Sequence, residues 1–181
     1  PVQLARENNK FQYKLIRTGA RSSLYGASID WLIQSGIVLK CTKCEQGIMP
    51  LAAYEDLSSF KLYFSDTGLF NSRLQLTKQS LAAARQYMGA LTENYVAIQL
   101  KANGYKLNYW TSTATAEVDF VIVQNGEVVP IECKANIHVK SKSLDSFVKR
   151  YDIKQSIRLS MRNFGFENNI KSVPLYAAFC V

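Results

Sequence analysis

The stretch Glu117-Val-Asp-Phe-Val-Ile-Val-Gln-Asn-Gly-Glu-Val-Val-Pro-Ile-Glu-Cys-Lys134 decides how this chain is read. Two β-rich runs meet at Asn125-Gly126, a dipeptide that favours a two-residue type I′ turn because both central positions need positive φ. That turn sets Gln124 opposite Glu127, so the numbers of facing residues sum to 251. Asp119 then faces Glu132, and Glu117 faces Lys134. Period-two alternation collects Glu117, Asp119, Glu132 and Lys134 on one face. It leaves Val118, Phe120, Ile122, Ile131 and Cys133 on an apolar one. Pro130 has no N–H to give a ladder, and an edge or bulge there would break the register.

Two carboxylates facing each other across a strand pair stand about 5 Å apart and repel by about 3 kcal/mol at an effective dielectric near 20. A fold gains nothing from that pair unless something positive sits between them. Lys134 offsets part of the repulsion, and Mg2+ or Mn2+ would offset more. The alternative is a solvated charged face with a Glu117–Lys134 ion pair across the strands.

A third carboxylate points the same way. Residues 81–103 read as a long helix stopped by Gly104, and Glu93 shares its face with Gly89, Ala90, Val96, Ala97 and Leu100. Carboxylates are rarely buried without a partner. A cation shared with Asp119 and Glu132 would supply one; a hydrogen-bonded structural glutamate is the alternative.

Charge is distributed unevenly. Residues 1–50 carry seven basic and three acidic side chains, 51–134 seven and eight, and 135–181 eight and three. Two basic flanks around an acidic centre suit a phosphate backbone and a divalent cation together, although a merely soluble basic surface also carries such charge. No apolar run reaches the roughly 18 residues that span a bilayer, and the polar start of the chain lacks the apolar core of a secretion signal. A cytoplasmic protein is therefore expected. The chain begins at Pro1 without a methionine, as a piece of a longer protein would. Four cysteines do not make a disulfide scaffold. Cys41-x-x-Cys44 is half of a zinc ribbon without its second half, and His138 is the only histidine, so two thiols on a strand or turn are expected.

Residues 21–35 read as a helix with Gly36 as its stop, followed by a strand at 37–41 and a turn at 45–47. Helix and hairpin together suggest a small winged-helix-like module over residues 1–57. From residue 58 onward the order is strand (60–64), helix, three strands (106–111, 117–123, 128–135), helix and strand (157–160), which argues an α/β layered domain to residue 181. Asp66 and Gly68 are turn formers, Ser141 or Ser143 would cap the helix over Leu144, Phe147, Val148 and Tyr151, and residues 173–181 form an apolar element of undecided type.

The succession Glu93, Asp119, Glu132-Cys133-Lys134 resembles the PD-(D/E)XK nuclease superfamily. More of the chain, about residues 20–181, is similar to the C-terminal half of a family of bacterial and archaeal AAA-type P-loop ATPases. There a winged helix and a nuclease-like domain of unassigned function follow the ATPase. The residues carrying this likeness are Lys61-Leu-Tyr-Phe-Ser-Asp-Thr-Gly-Leu69, Glu93-Asn-Tyr-Val96, Tyr109-Trp110, Glu117-Val-Asp-Phe120, Pro130-Ile-Glu-Cys-Lys-Ala135, Lys142-Ser-Leu144 and Val173-Pro-Leu-Tyr176. The resemblance implies a restriction-endonuclease-like mixed sheet flanked by helices and a Mg2+- or Mn2+-dependent phosphodiester hydrolase. Asp119, Glu132 and the Cys133 carbonyl would hold the metal, Glu93 would complete or orient its shell, and Lys134 would position the attacking water or steady the developing charge. Glu117 is an extra carboxylate beside that motif. DNA is the expected partner, contacted by Lys140, Lys142, Lys149, Arg150, Arg17 and Arg21, and an N-terminal P-loop ATPase module is implied that this chain lacks: no Gly-x-x-x-x-Gly-Lys-Ser/Thr occurs in it. The other reading is a nuclease-type fold that no longer cuts and serves DNA binding or protein docking.

Overall fold

In a computed structural model of the chain, the described residues are 10–13, 16, 18, 21–75, 85–113, 115–137 and 142–181. The first helix, α1, is Ser22–Gln34 and ends at Gly36, whose φ of 73° only glycine adopts freely. Strand β1 (Val38–Cys44) leads through a 3-10 turn at Leu51–Tyr54 into β2 (Glu55–Phe64). Asp66 then caps a helix that the sequence had not disclosed, α2 (Thr67–Leu74), by accepting the Leu69 N–H at 2.6 Å. The long helix α3 is Arg85–Ala102, followed by β3 (Asn108–Thr111), β4 (Glu117–Gln124) and β5 (Glu127–Cys133). Helix α4 (Lys142–Tyr151), β6 (Ser156–Ser160), β7 (Gly165–Glu167) and β8 (Ile170–Pro174) follow. The closing apolar element of undecided type is the end of β8 and a 3-10 segment, Leu175–Cys180.

All eight strands make one mixed sheet in the order β2-β1-β3-β4-β5-β6-β8-β7. Its parallel contacts are β1–β3, β5–β6 and β6–β8. The hairpin expected to belong to a winged-helix module is β1–β2, and β1 pairs with β3, so the expected boundary at 57/58 falls inside a strand of the common sheet. One face buries Ala90, Val96, Ala97 and Leu100 of α3 against Tyr63, Phe120, Ile122 and Ile131. The other buries Phe147 of α4 against Trp110, Val118, Val121 and Val128.

The β4–β5 hairpin has the expected register, from Gln124↔Glu127 to Phe120↔Ile131. Asn125 and Gly126 have φ of 52° and 79°, both positive as a type I′ turn requires. Pro130 neither lies at a sheet edge nor breaks this ladder. It faces Val121 across a pair that exchanges no main-chain hydrogen bonds, and the β5–β6 ladder begins one residue later at Ile131↔Ile157. Its missing N–H therefore has no partner to disappoint.

The bulge is on the other side of β4. Asn108 pairs with Val121 but Trp110 with Val118, so Asp119 and Phe120 together oppose Tyr109. One extra residue reverses which face the preceding side chains use. Val118 therefore packs with Val121 on the α4 side, and Glu117 turns to the α3 side. This overturns the expectation that Val118 shares the apolar face of Phe120 and Ile122. Along β5, Val129, Ile131 and Cys133 pack on the α3 side while Val128 packs on the α4 side, so alternation assigns Glu132 to the face away from α3.

Candidate functional site

The bulge and the hairpin together build a site around a residue outside the expected set. Lys61 lies on β2 beside Cys41 of β1 and is wholly buried. Its Nζ is 2.5 Å from Glu117 Oε1, 3.6 Å from Glu93 Oε2 and 5.0 Å from the centre of the Tyr109 ring. Tyr63, two residues on and hence on the same face, donates its hydroxyl to Glu93 Oε2 at 3.1 Å. Burial alone would lower the Lys61 pKa, but Glu93, Glu117 and Asp119 outweigh it and hold the ammonium charged.

Glu93 projects from α3 into this group as its helical face implied. Burial raises its pKa, with Lys61 opposing and Glu117 and Glu132 adding to the rise. Asp119, at the bulge, accepts the Cys133 backbone N–H at Oδ2, 2.7 Å away. Burial lifts its carboxyl well above the usual range, then Glu93 and Glu132 lift it further. Glu132 is 3% exposed. Its Oε1 is 2.5 Å from Lys134 Nζ, while its Oε2 is buried without a hydrogen-bond partner among the described residues. Burial works against the Lys134 ammonium, and Glu132 more than offsets it.

Two direct pairings thus replace the one expected. Glu117 meets Lys61 rather than Lys134, and Lys134 meets Glu132. Asp119 lies electrostatically between the two groups. Four carboxylates share two ammonium groups. As placed, Glu93, Asp119 and Glu132 with Cys133 do not fit a Mg2+ or Mn2+ site. Among the described residues no three or more His, Cys, Asp or Glu side chains stand together as metal ligands.

Of the expected nucleic-acid contacts, Lys142, Lys149 and Arg150 are exposed on α4, and Arg21 is exposed ahead of α1. The Arg150 guanidinium lies 5.9 Å from the Trp110 ring centre and 5.5 Å from that of Tyr151. Arg17 and Lys140 lie outside the described residues, as do His138 and Ser141. Ser143 does not cap α4; it sits within the helix and accepts the Glu117 N–H at 3.3 Å. Cys41 and Cys44 are buried on β1. Burial pushes the Cys41 thiol far up and the Cys44 thiol up to about 12, so both stay protonated packing groups.

Lys61 had a signal in the sequence. It shares its strand face with Tyr63, opposite Phe60, Leu62 and Phe64, and that Tyr63 is the one cue that this second face is also covered.

The family described as "Domain of unknown function (DUF4143)" matches residues 88–178, half of the chain. The chain belongs to that family. DUF4143 domains are found in AAA-ATPase-associated proteins. A second family, "Domain of unknown function (DUF8612)", matches residues 2–80. The DUF4143 segment contains Glu93, Glu117, Asp119, Glu132 and Lys134, whereas Lys61 and Tyr63 come from the DUF8612 segment. Both segments therefore contribute to the charge group around Lys61. No curated protein matches the chain. Among solved structures, the crystal structure of protein VC1899 from Vibrio cholerae is similar at 12% identity with a TM-score of 0.30. That alignment covers 95% of this chain and 44% of the other, so the chain spans less than half the length of that protein. Among the described residues no helix is long and apolar enough to cross a membrane.

Proposed function

We propose that this DUF4143 chain is a nucleic-acid-binding part of an AAA-type ATPase system: a restriction-endonuclease-like, PD-(D/E)XK-type domain with a winged-helix-like N-terminal part, which holds DNA without cutting it. The observation that carries this reading is Lys61, a buried ammonium contacting Glu93, one of the carboxylates to which a nuclease would bring a metal ion, and the extra carboxylate Glu117 beside them. Support for the nucleic-acid partner is the net charge of +8 and the exposed Lys142, Lys149 and Arg150 on α4. Contacts of that kind go to phosphate oxygens and carry no sequence information, so they give binding that is general and weakened by salt.

Mg2+-dependent phosphodiester cleavage is the second reading. One observation favours it: Glu132 Oε2 is buried without a hydrogen-bond partner among the described residues, beside Lys134, and buried polar atoms are seldom left so.

Anisotropy of labelled duplex and single-stranded DNA across a salt series, with gels run in Mn2+ and in chelator, tests both. Binding that weakens steeply with salt and leaves the DNA intact supports the proposal. Cleavage in Mn2+ that chelator abolishes would replace it with the second reading. Affinity indifferent to salt would point to a protein partner.

A further inference from the structure

The two edges of the sheet differ. The outer side of β2 is partly taken: the Phe11 N–H donates to the Phe60 carbonyl at 2.8 Å, and Lys10 Nζ donates to Ser59 Oγ at 2.8 Å. At the other end of the strand order stands β7, exposed along its whole length. Phe166 in that strand and Phe164 just ahead of it are 68% and 58% exposed. Open edges are usually protected by charge, proline, a bulge or a cover, and two aromatic rings are none of these.

The turn beside β7 shows which main-chain groups are open. Asn168 and Asn169 form a two-residue turn with φ of 50° and 59°, so the flanking pair Glu167↔Ile170 exchanges hydrogen bonds and the next pair, Phe166↔Lys171, does not. The Phe166 N–H and C=O therefore point away from β8, and alternation gives Phe164 the same sense. The sequence here is nearly its own reverse. Phe164-Gly165-Phe166 is a palindrome, with Arg162-Asn163 before it and Glu167-Asn168 after it. A strand that pairs antiparallel with its own copy about a two-fold axis reads each residue against that reverse.

We propose that β7 is the docking edge for a second copy of this chain, the two β7 strands pairing antiparallel about a two-fold axis at Gly165. Phe166 of each copy then faces Phe164 of the other. The outward N–H and C=O groups of these pairs exchange hydrogen bonds, and the rings, all on one face, pack across the junction. Two chains of net charge +8 repel overall. The pairing counters that where the copies meet, because Arg162 of one lies opposite Asn168 of the other, next to its Glu167. This inference does not depend on the DNA reading.

Sedimentation velocity of the full chain over a concentration series, without nucleic acid, reads the association, and an oxidative cross-link reads its register. Wild type should pass from the one-chain toward the two-chain mass by about 100 µM, as a small interface allows. Phe164→Ser/Phe166→Ser changes only exposed side chains, so it should keep the wild-type Tm and weaken association by at least about tenfold. The register is tested in a Cys180→Ser background, which removes the exposed thiol. A Cβ at Gly165 meets nothing within 4 Å in its own chain, and at the axis the two Gly165 Cα atoms would stand about 4.5 Å apart, within disulfide range. Gly165→Cys should therefore give a disulfide-linked dimer on oxidation. Glu167→Cys, which faces Asn163 of the other copy rather than itself, should not. Three results overturn the proposal: a one-chain mass at every concentration; association untouched by the paired serine substitutions; or Gly165→Cys cross-linking no more readily than Glu167→Cys. DNA binding enters none of these readouts, so failure here and failure of the DNA reading are separate events.

Discussion

Asp119 Oδ2 accepts the Cys133 backbone N–H at 2.7 Å, so a side chain closes the β4–β5 hairpin beyond the point where main-chain pairing stops at Phe120↔Ile131. The bulge opposite Tyr109 makes this necessary. With Asp119 and Phe120 sharing one position on the β3 side, the regular partner for the Cys133 N–H is displaced, and a buried N–H without an acceptor would be costly.

Asp119→Asn keeps an oxygen for that N–H and removes the charge. Burial, then Glu93 and Glu132, raise the Asp119 pKa in the folded chain. A raised carboxyl means that the folded state binds the proton more tightly than the unfolded one. The stability from this group is then full below the unfolded value near 4 and is lost as pH rises through the folded value. Wild type should lose stability from about pH 4 toward about pH 8, and Asp119→Asn should lose less, ending about 1 kcal/mol more stable at the upper end. Urea melts at both pH values in chelator measure this. Identical pH slopes for the two proteins would remove Asp119 from the cluster's electrostatics.

Tyr63→Phe removes the hydroxyl given to Glu93 Oε2 at 3.1 Å and leaves the ring in the core beside Phe120. A hydrogen bond to a charged group contributes about 1.5–3 kcal/mol, and Lys61 remains to satisfy part of Glu93, so a loss of about 1–2 kcal/mol is expected. The urea midpoint should fall with the slope unchanged. A loss below a few tenths of a kcal/mol would mean that Glu93 does not need the tyrosine.

Gly47→Ala tests the α4 face. A Cβ at Gly47 would overlap the Phe147 and Tyr151 rings, and Phe147 is wholly buried against Trp110 at 5.1 Å between centroids. A ring so packed cannot swing aside, so overpacking should cost about 1–3 kcal/mol, read from the thermal midpoint. An unchanged midpoint would show that the 45–47 turn moves instead.

The sequence disclosed the hairpin because its signals were local. Asn125-Gly126 fixed the turn, and the turn fixed every pair down to Phe120↔Ile131. The same reasoning failed at Glu117. The residue that displaces it is the bulge, and the bulge exists only against Tyr109, a partner from another strand. Lys61 stayed hidden for a related reason. Its strand was legible, but its anions come from α3 and β4, 32 and 56 positions away in the numbering, and no local pattern brings them together. The parallel β1–β3 contact that ties the N-terminal hairpin into the common sheet is equally long-range. What the pattern around Glu93 did show was that a carboxylate lay on an apolar helix face; it could not say that the cation meeting it was a lysine.

The DNA reading makes its sharpest prediction at α4. Lys142 and Lys149 are exposed on that helix, and neither takes part in the Lys61 or Lys134 pairings. Replacing both by alanine should leave the melting midpoint almost unchanged, since exposed substitutions of this kind usually stay within about 0.5 kcal/mol. Each lysine that touches a phosphate releases counterions on binding. The slope of log affinity against log salt should therefore flatten by about 0.9 per contact on duplex DNA, or by about 2 for the pair. Lys101→Ala, on the exposed side of α3, is the control and should leave the slope alone. Arg150 is a poorer choice because its guanidinium also lies over Trp110 and Tyr151, so its loss mixes packing with charge. If the double variant and the control bind with the wild-type salt slope, α4 does not face the nucleic acid, and the basic flank around Arg21 becomes the surface to replace next.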